Sequence, residues 1–180
     1  MPSPNPHSGS PLSGKLVTVF GGSGLFGTHV AQALLSRGAR LRIAARNPEA
    51  AFSLKPLANL GQLQFARCNI LDERSVRACV QGSDAVVNLV GSFEGNLVKL
   101  MGDAAGTIAR AAADEGASAM VQVSAIGADP DSPTQYGMAK ALGETLVLEA
   151  FPKATVLRPS IIFGEDDNFL NMFAGLIQDR

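Results

Sequence analysis

Apolar and polar positions follow two different periods along this chain, and the two periods take turns. Short β-branched or apolar runs near 15–20, 40–45, 63–67, 84–90, 118–124 and 154–158 read as strands. Between them, apolar residues recur at helical spacing at about 25–37, 73–81, 96–115 and 134–150, with a shorter helical segment near 49–59. In the first helix Val30, Ala31, Leu34 and Leu35 form one stripe. Boundary residues support the division. Asp72 is placed to cap the helix after the third strand, and Gly38 suits a left-handed cap at the end of the first. Ser132-Pro133-Thr134-Gln135 reads as a capping box with proline at the first helical position. Strands alternating with helices predict an α/β fold, a doubly wound parallel sheet with helices on both faces.

One junction carries more than fold information. The apolar run Leu16 to Phe20 passes directly into Gly21-x-x-Gly24-x-x-Gly27, and a helix begins at Leu25. A strand, a glycine turn and a helix N-terminus in that order form a dinucleotide-binding signature of the Rossmann type. Gly21 permits the sharp turn, Gly24 removes a Cβ where a pyrophosphate must approach, and Gly27 lets the helix pack close to the strand. The free N–H groups of the first helical turn face the phosphates. Gly21, Ser23, Gly24, Leu25, Phe26 and Gly27 are therefore candidate cofactor-binding residues.

Composition narrows the class. A chain of 180 residues with 46% hydrophobic content has a core to bury, yet no apolar run approaches the roughly 20 residues of a membrane span. A net charge of −1 argues against a nucleic-acid binder, which needs clustered Lys and Arg. Cys68 and Cys79 make no disulfide framework and read as buried free thiols of a reducing compartment. No metal-ligand cluster is evident. Residues 1–14, rich in Pro, Ser and Gly, read as a disordered tail with no apolar signal segment, and a cytoplasmic location is expected.

The second strand bears on the choice of cofactor. NAD-selective domains carry an acid about 20 residues past the glycines for the ribose 2′-hydroxyl. Here the strand ends in Arg46-Asn47-Pro48, and a guanidinium offers its fork of donors to a 2′-phosphate instead. NADP(H) is thus favoured over NAD(H). A second constellation follows in the later half. Ser124 closes the fifth strand, and Tyr136 and Lys140 lie four apart on the next helix, hence on one face. An ammonium and an oxidised nicotinamide lower a phenol's pKa, so Tyr136 is a candidate proton donor and acceptor, with Ser124 holding a substrate oxygen. Lys140 has an alternative role, binding the nicotinamide ribose hydroxyls. His29, on the first helix, has no assigned chemistry.

With these residues in hand, the chain resembles the short-chain dehydrogenase/reductase superfamily in its extended or atypical branch. The resemblance is carried by Gly21-x-x-Gly24-x-x-Gly27, Asn88-Leu89-Val90-Gly91, Ser124, Tyr136-x-x-x-Lys140 and Arg158-Pro159-Ser160. Residues 123–129, the Tyr136–Glu144 helix and 157–174 narrow it. They resemble the NADPH-binding accessory subunit of respiratory complex I and its bacterial homologues. That resemblance implies that the glycines and Arg46 hold the pyrophosphate and 2′-phosphate. It implies that Asn69 and Ile70 line the adenine pocket, with Asn69 standing where many members carry Asp. Val90 and Gly91 would lie along the cofactor, and Pro159, Ser160 and Ile161 would approach the nicotinamide. It further implies a tightly held structural NADPH, complex I subunits as partners, and a peripheral place on the inner membrane, matrix-side in mitochondria.

Extended members continue past the sixth strand into a smaller substrate domain. This chain is expected to comprise the nucleotide-binding domain over 15–160 and, over 161–180, the start of that C-terminal region, cut short at Arg180 after the apolar stretch Phe169 to Ile177. Glu165, Asp166 and Asp167 read as solvated charges or a helix cap. Three readings stay open: an NADPH-holding complex I accessory or assembly subunit, an active NADP-dependent reductase or sugar-nucleotide epimerase/dehydratase using Ser124, Tyr136 and Lys140, and a sensor of the NADP⁺/NADPH state.

Overall fold

The computed structural model describes residues 9–162; the expectations for 1–8, for the acids at 165–167 and for the apolar stretch at 169–177 lie outside the described residues. The first strand, β1 (Leu16–Phe20), is apolar on both faces, as a central parallel strand must be. Val17 and Val19 face one layer of the core and Phe20 the other. The polar Thr18 is equally buried and satisfied, donating to the Cys79 carbonyl at 3.0 Å and lying 2.7 Å from Ser83 Oγ.

The remaining elements follow the predicted alternation: α1 (Leu25–Leu35), β2 (Arg40–Ala45), β3 (Leu63–Arg67), α2 (Glu73–Val80), β4 (Ala85–Asn88), α3 (Ala104–Asp114), β5 (Ala119–Val123), α4 (Gln135–Ala150) and β6 (Thr155–Leu157). The six strands form one wholly parallel sheet in the order β3-β2-β1-β4-β5-β6. This is the doubly wound Rossmann arrangement. One core layer packs under α1 and the segment after β2, the other under α2, α3 and α4. Strand order reverses between β1 and β4, and such a switch point opens a crevice at the carboxyl ends of the strands.

Three local departures have physical causes. The segment near 49–59 is a 3-10 helix over Pro48–Leu57, and Pro56 inside it opposes the α form because its ring would clash with the carbonyl four residues earlier. The helix predicted over 96–115 opens with a π-helical stretch, Val98–Asp103, before α3. That wider turn sets the Met101 carbonyl against Gly143 of α4, where an added Cβ would stand 2.2 Å from the oxygen. The cap of α4 is Thr134, whose Oγ1 accepts from the Gly137 N–H at 3.1 Å; Ser132 and Pro133 precede the helix and do not form its capping box. Asp72 caps α2 through the Arg74 N–H, and Gly38 has φ +83° after α1, both as predicted. Of the segment 1–14, residues 9–14 are described; Leu12 packs on the core and the Gly14 N–H donates to the Gly38 carbonyl at 2.9 Å. Among the described residues no helix is long and apolar enough to cross a membrane, and no group of three or more potential metal ligands occurs.

Candidate nucleotide-binding and active site

The crevice at the switch point holds two joined cavities. The first, about 360 Å³, is walled by Gly21, Ser23 and Gly24 from the glycine turn, Arg46 from the tip of β2, Asn69 and Ile70 after β3, and Val90 and Gly91 after β4. The second, about 800 Å³, is predominantly apolar and collects Phe26, Ser124, Tyr136, Lys140, Pro159, Ser160 and Ile161. Leu89 and Gly91 border both, so one elongated ligand can lie across them. Leu25 and Gly27 line neither cavity.

The glycine turn is shaped by close approach. Gly21 has φ +79°, and a Cβ there would meet the Leu89 backbone at 3.1 Å. Gly27 packs so tightly that its Cβ would stand 2.2 Å from the Gly21 carbonyl oxygen. At Gly24 the only neighbour of an added Cβ is that same oxygen at 3.6 Å, so its open side faces the groove. Gly24 is also the N-cap of α1; no side chain caps this helix and no acid occupies its first turn. Its leading N–H groups are thereby left to an anion. These features fit a dinucleotide pyrophosphate. Arg46 brings a guanidinium to this cavity, and the Oδ1 of Asn69 accepts from the Leu71 N–H at 3.1 Å.

The tip of β4 is held by a side-chain relay absent from the sequence reading. Asn88 donates to Gln122 Oε1 at 2.8 Å and accepts from the Val90 N–H at 3.1 Å, shaping the bend that exposes Val90 and Gly91. Lys140 completes the clamp. Its ammonium donates to the carbonyls of Val90 at 2.9 Å and Val123 at 3.0 Å, tying α4 to the ends of β4 and β5. With three donors and two used, one N–H remains for a ligand hydroxyl. Only 2% of Lys140 is exposed, and burial pulls its pKa down from 10.5 to about 8, against a smaller opposing pull from Glu144.

That shift has a testable sign. Between pH 8 and 10.5 the unfolded chain holds a proton on this lysine that the folded chain has released, so stability rises with pH in that window. Wild type should gain about 2 kcal/mol over Lys140→Met between pH 7.5 and 10. Denaturant unfolding of both proteins reads this directly, and a pH-independent difference between them would rule the shift out.

Tyr136 is half-buried, and burial raises its phenol pKa. Lys140 Nζ lies 5.8 Å from the Tyr136 ring centre, committed to the carbonyls. In the protein alone burial outweighs the expected lowering of the phenol by the ammonium. The ring stacks on Phe93, centres 5.0 Å apart at 18°. Phe93 stands in a loop bound by Ser92 Oγ to both main-chain groups of Glu94. Ser124 is 3% exposed, and its hydroxyl is the buried polar atom without a hydrogen bond among the described residues; its contact with Glu144 does not reach hydrogen-bond geometry. Burial pushes the Glu144 carboxyl up, but the fork from Arg158, at 2.8 and 2.5 Å, and the nearby Ser124 and Lys140 hold it below the usual range. Phe93, Glu144 and Arg158 were not among the predicted site residues. For Glu144 a signal was available: it lies four residues after Lys140, on the same helix face.

Comparison with known proteins agrees with this geometry. Residues 21–162 match a family described as NAD(P)H-binding. The mitochondrial NADH dehydrogenase [ubiquinone] 1 alpha subcomplex subunit 9 of Dictyostelium discoideum is 34% identical over 96% of this chain and 50% of its own. The mouse (Mus musculus) subunit of that name is 35% identical over 92% of this chain and 45% of its own. The chain therefore spans about half the length of the curated relatives it matches. Among solved structures, a short-chain type dehydrogenase/reductase from Mycobacterium ulcerans superposes with a TM-score of 0.75 at 22% identity, over 93% of this chain and 75% of that one. Fold, groove and sequence agree: the chain belongs to the NAD(P)H-binding family, has the fold of the short-chain dehydrogenases/reductases, and is homologous to a mitochondrial complex I subunit.

Proposed function

We propose that this chain is the nucleotide-holding part of a complex I accessory or assembly subunit, and that it keeps NADPH as a resident group. The observation that carries the reading is the state of Lys140. Its ammonium is buried and spent on the Val90 and Val123 carbonyls, and the phenol of Tyr136 is pushed toward its protonated form. This pair clamps and lines a cofactor site more readily than it cycles protons. Arg46, with no acid at the tip of β2, supports NADP(H) over NAD(H). The homology to complex I subunits supports other subunits of that assembly as partners and a peripheral, matrix-side place on the inner membrane in a mitochondrion.

Each residue has a task in this reading. The N–H groups of the turn and of α1 bind the pyrophosphate, and Arg46 binds the 2′-phosphate. Asn69 and Ile70 receive the adenine, Val90 and Gly91 flank the ligand, and Pro159, Ser160 and Ile161 close the nicotinamide end. When bound, the reduced nicotinamide supplies a hydride. The remaining donor of Lys140 holds a ribose hydroxyl, and Phe93 shields Tyr136 from water. The protein purified gently and dialysed is expected to retain nucleotide, with absorbance near 340 nm and the mass of NADPH. An empty protein that binds NADPH reversibly would defeat the resident-group reading.

One observation favours a second reading, an active NADP-dependent reductase or epimerase. The orphaned Ser124 hydroxyl faces an 800 Å³ cavity and is free to bind a substrate oxygen. In that case Tyr136→Phe abolishes turnover while nucleotide affinity survives, because only the proton donor is lost.

A further inference from the structure

We propose that the 800 Å³ cavity takes a neutral, largely aliphatic carbonyl compound, with its oxygen held at Ser124, and not a sugar nucleotide. The placing of that oxygen beside a nicotinamide rests on the readings above; the apolar class of the ligand rests on the wall of the cavity alone.

The wall begins with side chains that water does not favour. Phe93, Ile126 and Ile161 line the cavity and are 85%, 73% and 70% exposed. They come from three separate segments, after β4, β5 and β6, and Ile162 stands beside the last of them. Large apolar side chains exposed one at a time are ordinary, but several converging on one concave mouth mark a binding surface. Phe26 from the first turn of α1 and Leu89 after β4, both half-buried, continue the same lining. The Phe93 ring lies against that of Tyr136, so the apolar wall adjoins the phenol.

A sugar nucleotide brings a diphosphate, which is held by free Arg or Lys donors. Among the described residues lining this cavity the one charged group is Lys140, and its ammonium is committed to the Val90 and Val123 carbonyls. Arg158, next to the lining residue Pro159, is forked onto Glu144. The 360 Å³ cavity is the opposite case, with Arg46 and Asn69 in its wall. The groove therefore has a polar end and an apolar end, and they call for different ligand chemistry.

What polarity the larger cavity has is mainly that of donors. The Ser124 hydroxyl is 3% exposed and has no hydrogen-bond partner among the described residues. Tyr136 offers a protonated phenol, and Lys140 keeps one N–H. Ser132 and Thr134 are taken up by each other and by the start of α4. A carbonyl oxygen only accepts, so it suits such a set, and a buried hydroxyl left unpaired is costly until something meets it. A cavity of this size, apolar with a few placed polar groups, is of the kind that holds a small molecule, and it is larger than one nicotinamide ring fills.

The test reads binding by calorimetry on the intact chain saturated with NADP⁺, whose own affinity is titrated first. Methyl ketones from pentan-2-one to nonan-2-one are the probes, set against UDP-glucose. Each added CH₂ should tighten binding roughly three- to fourfold, as one buried methylene does. Heptan-2-one is then compared with 2-methylhept-1-ene, in which CH₂ replaces the oxygen. Ser124→Ala should lower the ketone's affinity relative to the alkene's by roughly 2- to 10-fold. Ile126→Asp, at a position exposed to water, should weaken every ketone by roughly tenfold. No ketone binding, affinity flat with chain length, or UDP-glucose bound more tightly than nonan-2-one would overturn the apolar class. Ketone affinities untouched by Ile126→Asp would overturn this cavity as the place. A ketone-to-alkene ratio unchanged by Ser124→Ala would overturn the position of the oxygen. Failure of NADP⁺ to bind would count against the nucleotide reading, while the same ketone series on the nucleotide-free chain would still decide the cavity.

Discussion

Arg46→Ala is expected to weaken NADPH binding by roughly 10- to 100-fold and to leave NADH binding nearly unchanged. The guanidinium is the charged group that the tip of β2 brings to the nucleotide groove. Hydrogen bonds from a charged donor are worth about 1.5–3 kcal/mol, and each 1.4 kcal/mol is about tenfold in affinity. NADH has no 2′-phosphate and therefore nothing to lose at this position. Titration of nicotinamide fluorescence with both cofactors measures the two affinities side by side. An equal loss for both would mean that Arg46 shapes the groove without reading the phosphate, and the preference for NADP(H) would have to be abandoned.

Gly27→Ala and Gly24→Ala should fail in opposite ways. At position 27 a methyl group would stand 2.2 Å from the Gly21 oxygen and 2.7 Å from the Gly22 Cα, all backbone that no side-chain rotation can clear. Helix α1 must then lift from the sheet. A cost of about 3 kcal/mol follows from overpacking, with a fall in Tm of roughly 6–12 °C. Position 24 has φ −80° and only one neighbour, at 3.6 Å, so alanine fits the fold there within about 1 kcal/mol. Its methyl occupies the space of the pyrophosphate instead, and NADPH affinity should drop by roughly tenfold or more, about 1.4 kcal/mol. Thermal unfolding without nucleotide, set beside the binding titration, separates the two effects. If Gly24→Ala bound NADPH normally, the phosphates would have to lie elsewhere.

The strands were legible because each is a short apolar run of its own; β2 and β3 have the expected ends, and the ends of the others differ by at most two residues. The 3-10 segment and the π-helical opening before α3 were less legible. Both depend on what a backbone carbonyl meets: the Pro56 ring opposes the α form at the carbonyl four residues earlier, and the Met101 carbonyl meets Gly143 some forty positions later. The cap of α4 moved from Ser132 to Thr134 because both residue types can cap and only the path of the chain selects one.

For the candidate site, residue type and spacing were enough to nominate the glycine turn and Arg46, and the family resemblance added Asn69, Ile70, Val90 and Gly91; these four line one cavity with Arg46 and the Gly21–Gly24 part of the turn. Residue type and spacing also nominated Ser124, Tyr136 and Lys140, which share the other. The Asn88–Gln122 link, the Phe93–Tyr136 stack and the Glu144–Arg158 fork carry no periodic signature. Each joins side chains from different elements, so each exists only once the sheet is assembled.

Taken by itself, the sequence determined that this protein is a parallel α/β domain with a glycine turn at a helix N-terminus, because these are consequences of local pattern and of backbone freedom at single residues. The tertiary structure alone decided the charge states and loyalties of the groups in the crevice. Lys140 meets the Val90 carbonyl across fifty residues, loses its water there, and drops to a pKa of about 8. Desolvation and hydrogen-bond partners are properties of a place in the assembled sheet, and no stretch of sequence contains them.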